Sequence, residues 1–386
     1  MKFVECKLSE LGEIVGGATP FTKNESYYGG DIPWLTPKDL ANFNGRYINF
    51  GERNITEAGY KSTSVKMLPI NSVLFSSRAP IGYVAINNKN EVCTNQGFKS
   101  VIPNSKTDYM FLYYLLKYNK NKIEAMGSGT TFKEVSGTVM KNIIVNVPET
   151  KEDQIKIGKI LSKIDDKIEL NTHTNDNLYE LSSTLYKKWY DSLSNDNITT
   201  LSKFDEMGKI VMGQSPKGES YNYYNEGLPL INGAADYENG FLKAQKYTTM
   251  PTKTCNKNDL IFCIRATIGL LTICDKEYCL GRGVAGIVNI NDLYREYVFH
   301  LINNSIESFK NLATGSVIVG ISRNDIQNIK VKIPSKEQIK KFHDIQKTLF
   351  DKMENIRQEN MVLTQLRDTL LPKIMNGEID LDKIEI

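Results

Sequence analysis

The feature that most constrains this chain is that it is written twice. The run GEIVGGATP at 12–20 returns as GKIVMGQSP at 208–216, an offset of 196. Tyr27 and Tyr28 align with Tyr223 and Tyr224, and Pro33 with Pro229, at the same offset. The offset then falls to 187 and 186. Arg78–Gly82 matches Arg265–Gly269, Gly97 matches Gly283, and Ser128–Thr130 matches Thr314–Ser316. Ser136 matches Ser322, and Ile143–Pro148 matches Ile329–Pro334. Collinear matches along the whole length mean one structural unit used twice.

Each copy has two parts. The first mixes short apolar or alternating runs with turns, and the pattern predicts strands at 72–76, 83–86 and 143–147. Amphipathic helices are expected at 109–118 and 293–302. This is a mixed α/β domain. The second part is a long helix, entered after Pro148 or Pro334 with acidic residues in the first turn. The expected organisation is a domain at 1–150, a helix at 151–195, a second domain at 196–335, a second helix at 336–376 and a tail at 377–386.

The two helices share a heptad register at an offset of 185. In the first, one seam line is Ile157, Ile164, Asn171, Leu178, Leu185, and the other is Gln154, Leu161, Ile168, Asn175, Ser182. In the second, the lines are Phe342, Leu349, Ile356, Leu363, Leu370 and Ile339, Gln346, Met353, Asn360, Arg367. A largely apolar seam over four to five heptads predicts a coiled coil, with Asn175 and Asn360 at equivalent polar positions that fix register. We expect the helices to pair antiparallel, as a rod with a domain at each end. About 35 residues of helix span about 50 Å.

Composition excludes more than it identifies. Net charge is +3, so any nucleic-acid surface is a local patch. There are 39 Lys but 9 Arg, which makes each Arg position the more informative one. The six cysteines form no CxxC pair and read as reduced, buried thiols of a cytoplasmic protein. With three histidines, expected on the surface or flanking the seam, no metal site is expected. The N-terminus lacks the apolar core of a signal peptide. The most apolar stretch, 261–274, is too short to span a bilayer.

No catalytic constellation is present. Ala18 and Thr19 stand where a phosphate-binding loop needs Lys and a hydroxyl residue. Asp31-Ile32-Pro33-Trp34 approaches the motif with which DNA amino-methyltransferases hold a flipped base. Its counterpart, Gly227–Leu230, keeps neither the acid nor the aromatic residue. This run is expected to be a fold element. A stand-alone N6-adenine methyltransferase using it, and a coiled-coil scaffold without DNA affinity, are the alternatives.

The opening Gly motif, the Arg78–Gly82 run, the Ser-Gly-Thr-Thr at 128–131 and the ending at Leu370–Ile379 (LLPKIMNGEI) together resemble the specificity subunit of type I restriction–modification systems. The likeness covers the whole chain. It implies two target-recognition domains, each reading one half of a split DNA sequence, with the helices as spacers. It also implies a non-catalytic chain that works with two modification subunits, which bind S-adenosylmethionine and methylate adenine at N6. Restriction subunits would bring ATP- and Mg-dependent translocation and cleavage. Thr267 in place of Pro80, and Ser316-Val317 in place of Thr130-Thr131, depart from the first copy.

Arg reads guanine bidentately, Asn and Gln read adenine, and Lys and Arg contact phosphate. Arg78 and Arg265 occupy matched places and are expected to share a role. The segments between the Gly and Arg motifs differ most between copies, as they should if the two heads read different bases. The first offers Lys23, Asn24, Tyr27, Lys38, Asn44 and Arg46. The second offers Lys217, Tyr221, Tyr223, Asn232, Lys243 and Lys246. Lys133 and Arg323 are further phosphate candidates.

Overall fold

A computed structural model describes all residues except 42, 44, 130–132, 239, 313–319, 380 and 382–386. In it the repeat is a repeat of topology. Strands Gly12–Gly16, Lys99–Pro103, Val73–Ser77 and Ile81–Ile86 lie in that order in an antiparallel sheet. Lys209–Met212, Val284–Val288, Leu260–Cys263 and Leu271–Ile273 repeat the order. Beside this sheet, Tyr28–Leu35 pairs parallel with Cys93–Thr94, as Leu228–Ile231 does with Tyr278–Leu280. The first and last strands close each domain: Phe3–Lys7 pairs with Ile144–Pro148, and Ile198–Thr200 with Lys330–Lys332. The chain therefore leaves each domain beside where it entered, directly into a long helix.

The repeated glycines have a steric cause. A Cβ at Gly17 would lie 2.1 Å from the Thr94 carbonyl oxygen, and one at Gly213 would lie 2.0 Å from that of Gly281. No side chain fits there, so the opening motif can lie against the end of the short parallel strand.

The Arg motifs also fold alike. Ala79 and Ala266 both have positive φ, 53° and 58°. Arg78 bridges by backbone to Glu134, and Arg265 to the equivalent Gly320. Thr267 in place of Pro80 leaves this turn in place.

One expected equivalence is corrected. The Tyr28 hydroxyl donates to the Pro20 carbonyl at 2.8 Å, and its structural counterpart is Tyr221, which donates to Pro216 at 3.1 Å. Tyr28 opposes Ile55, and Tyr221 opposes Thr248. The offset there is 193, so the match to Tyr223 and Tyr224 is accidental. Those two residues sit in a loop that the second copy has gained, and Tyr224 is 88% exposed.

The long helices are Lys151–Ser192 and Lys336–Met375. The chain divides into two compact units, Met1–His173 with Arg357–Ile386, and Thr174–Ile356. Each unit holds one α/β domain and a stretch of both helices, and within each the helices pair antiparallel. In the first unit Asp165 meets Arg367, and Asn171 donates to Asn360 at 2.9 Å. In the second, Asn175 donates to the Met353 carbonyl at 3.2 Å, and Ser182 meets Gln346.

The seam residues are buried or half-buried. Towards the domains the seam becomes a three-way contact. Ile157 and Leu161 pack with Phe111–Leu116 of the helix Tyr109–Tyr118, and Ile339 and Phe342 pack with Tyr297–Ile302 of the helix Arg295–Leu312. The internal Gly158 lets the first long helix approach closely. A Cβ there would be 3.0 Å from the Asp108 carboxylate that caps helix Tyr109–Tyr118. Ile374, Met375 and Leu381 complete the core of the first unit.

Two of the histidines are buried beside the seam, one of the two places expected for them. His300 is 1% exposed and stacks on Tyr186 at 4.7 Å, and His343 is buried with Nδ1 2.7 Å from Glu296. All six cysteines are free, and five are buried. No helix among the described residues is long and apolar enough to cross a membrane.

Candidate nucleic-acid interface

The site begins with a turn that both domains share. The parallel strand ends at Thr94 or Leu280, and residues 95–98 or 281–284 then turn back, with Phe98 N–H donating to Asn95 and Val284 N–H to Gly281. The opening motif lies against this turn: Ala18 N–H donates to Thr94, and Gln214 N–H to Leu280. Position 96 or 282, at the corner, projects to the surface. In the first domain the Thr19 hydroxyl donates to the Gln96 side-chain oxygen. In the second, the Arg282 Nε donates to the Ser215 hydroxyl at 3.1 Å. The hydroxyl of the repeated Thr/Ser-Pro step thus holds one exposed side chain in each domain. That side chain is an amide in one and a guanidinium in the other.

Sequence reasoning missed Gln96 and Arg282 because they are not alike. The available signal was their shared place immediately before the matched Gly97 and Gly283. It also missed Arg53, whose guanidinium lies over the Tyr28 ring at 5.6 Å. Lys246 is its structural counterpart, with Nζ 6.0 Å from the Tyr221 ring centre and 5.7 Å from that of Tyr223. Both domains thus set a cation over a tyrosine near the opening motif.

Arg46 requires correction. It was expected on a DNA-facing loop, but it is 2% exposed. Its Nε lies 3.1 Å from Glu169, its Nη2 pairs with Asp166, and its Nη1 donates to the Ser162 carbonyl at 3.3 Å. Despite burial, these carboxylates hold its pKa above the ordinary value. Arg46 therefore ties its domain to the first long helix and is not available to a base. Asn24 is also engaged, capping a short 3-10 helix through Ser26 N–H. Asn232 and Thr36 are equivalent turn residues whose N–H groups donate to Asp236 and Asp39.

The remaining candidates lie at or near the surface. Lys23 and Lys133 are exposed, and Tyr27 is half-exposed. Lys38, Lys217 and Lys243 are exposed in ion pairs with Glu52, Glu219 and Glu238. Arg323 donates through Nη2 to the Ile210 carbonyl at 2.8 Å. Arg78 and Arg265 share a backbone position but not an environment. Arg78 is 3.5 Å from Glu134, whereas the counterpart of Glu134 is Gly320. Asn44 lies outside the described residues, as do Thr130, Thr131 and Thr314–Val317.

The methyltransferase-like run cannot hold a base. Trp34 is 4% exposed, its indole Nε1 donates to the Ala18 carbonyl at 3.0 Å, and Tyr28 packs edge-on against it at 6.0 Å. The residue that would stack a flipped base is instead part of the core beneath the opening motif.

The comparisons agree with this architecture. A family model for the type I restriction modification DNA specificity domain matches residues 1–180 and 199–365. The MjaIX specificity subunit of Methanocaldococcus jannaschii is 31% identical over 98% of this chain and 94% of its own length. The HindI specificity subunit of Haemophilus influenzae is 22% identical over 98% and 92%. The crystal structure of a type I restriction–modification S subunit from M. genitalium superposes with a TM-score of 0.56 at 18% identity, covering 97% of this chain and 96% of that one.

Proposed function

The chain belongs to the type I restriction–modification DNA specificity family, and on that premise we propose that it reads a two-part DNA sequence, one part per α/β domain. It is a sequence-recognition subunit, and by family it is non-catalytic. Methyl transfer to adenine N6 then falls to modification subunits that bring S-adenosylmethionine. ATP and Mg enter with restriction subunits.

The observation that carries this reading is the matched pair Thr19–Gln96 and Ser215–Arg282. One scaffold used twice gives two heads, and different side chains at one presented position give them different base preferences. Gln suits adenine and Arg suits guanine. The cations Arg53 and Lys246, with Lys23, Lys133, Lys217 and Arg265, suit the phosphate contacts that set register on a duplex.

The test is to produce the chain with its modification subunits and map methylated adenines in a genome lacking other such enzymes. A single motif of two short half-sites separated by unspecified bases supports the reading. A continuous motif, or methylation without sequence preference, overturns it.

A further inference from the structure

The two units carry different buried polar matches at the same place in the seam. In the first unit, Asp165 of the first long helix accepts from Arg367 Nη1 of the second at 2.8 Å and from the Tyr114 hydroxyl at 2.6 Å. At the helix offset of 185, Asp165 corresponds to Phe350 and Arg367 to Ser182. In the second unit, the Ser182 hydroxyl donates to Gln346 Oε1 at 2.5 Å and lies 2.9 Å from His300 Nε2. The Phe350 ring stands edge-on to the same imidazole at 5.9 Å. Leu161 is the counterpart of Gln346, and Tyr114 that of His300.

The two sets are not interchangeable. Because the helices share one heptad register, two copies of the chain could pair first helix with first and second with second. In a first-with-first pair, Asp165 would face Ser182 of the other copy and lose its guanidinium. Lys117, bonded to the Tyr113 hydroxyl at 3.3 Å, would be the cation left nearby. The Ser182 hydroxyl would face Leu161 where it now meets Gln346. In a second-with-second pair, Arg367 would enter the fully buried space that Ser182 fills. It would face the neutral side chains of Phe350 and His300, with only its own neighbour Asp368 still paired to it. Each like pairing loses a buried ion pair and misfits in volume.

We propose that the Asp165–Arg367 match, with Ser182–Gln346, is a pairing selector: it directs the first long helix onto the second and against the equivalent helix of another copy. A buried polar group that fixes pairing at some cost in stability is an attested use of such residues in coiled coils. Here it acts on a seam that the duplication would otherwise leave ambiguous.

The test uses the full chain with a protease site inserted between Asn195 and Asp196, in the exposed bend after the first long helix. The folded protein is cut, passed through urea, returned to buffer, and its pairs are counted by native mass spectrometry. Random assortment gives one pair of each like kind for every two unlike pairs. The selector predicts unlike pairs at least ~10-fold above that ratio. Asp165→Phe with Arg367→Ser, which copies the residues of the second unit, lowers the enrichment towards random. Asp165→Arg with Arg367→Asp, which reverses the pair, retains most of it. Should the first double variant fail to fold, Arg367→Ser alone reads the same preference. Random assortment of the unsubstituted halves, halves that part once cut, or an enrichment unchanged by removing the pair would each overturn the proposal.

Discussion

Arg282 donates from Nε to the Ser215 hydroxyl at 3.1 Å, and the equivalent tie in the other domain runs from the Thr19 hydroxyl to Gln96. The hydroxyl holds one atom of a longer side chain that is otherwise exposed. A side chain held this way gives up less rotamer freedom on binding. Arg282→Gln should therefore change the preferred base at one position of one half-site, from guanine towards adenine. The discrimination lost is about 1–3 kcal/mol, that of one bidentate pair. Gln96→Arg should do the reverse in the other half-site. Ser215→Ala should weaken discrimination without changing the preferred base. Competition binding with single-base variants of the mapped motif, with partner subunits present, measures all three.

Lys246 is half-buried, with its Nζ near the rings of Tyr221 and Tyr223. If it contacts phosphate, Lys246→Ala lowers affinity equally for all sequences and reduces the slope of log affinity against log salt by about 0.9. A loss confined to one target sequence would make it a base reader instead.

Arg46→Ala should act on stability and leave the preferred sequence unchanged. Removing one partner of a fully buried pair costs about 3–5 kcal/mol. Asp166 and Glu169 retain 61% and 33% side-chain exposure, which brings the expected loss nearer ~2 kcal/mol. Thermal unfolding of the first unit, followed by hydrogen exchange in the first long helix, reports it.

Much of this architecture was legible in the sequence. The repeat, the α/β class and the two long helices followed from patterns within short windows. Helix Tyr109–Tyr118 lies where its periodicity placed it. The departures have physical causes. Arg46 looked like a loop residue because its partners Asp166 and Glu169 lie more than a hundred positions away, and only tertiary folding brings them together. Tyr28 was matched to the wrong tyrosine because an inserted loop placed Tyr223 and Tyr224 at the offset of the neighbouring motif. Gln96 and Arg282, the side chains proposed to read bases, escaped because matching by identity finds only what two copies keep.

Burial pushes the His300 imidazole down to about 4 from an ordinary 6.5, with Ser182, Gln346 and the rings of Tyr186, Phe299 and Phe350 against it. The folded value is depressed, so between pH 6.5 and 4 the unfolded chain binds the proton more readily. The stability tied to neutral His300 is full above about pH 6.5 and is lost as pH falls towards 4. The loss is about 3 kcal/mol at 1.36 kcal/mol per pH unit. His300→Gln should lower stability at pH 7.5 and flatten this dependence. Urea midpoints of both proteins across the window, compared by difference to cancel carboxylate titration, decide it.

The central claim is that each domain independently reads one half of a split target. The most direct measurement replaces residues 1–150 with the equivalent domain of a relative of known target, with the modification subunits present. Methylated adenines are then mapped. The account predicts a new motif in which one half-site is the donor's, the other is unchanged and the gap keeps its length. A motif altered in both halves, or unaltered in either, would contradict it.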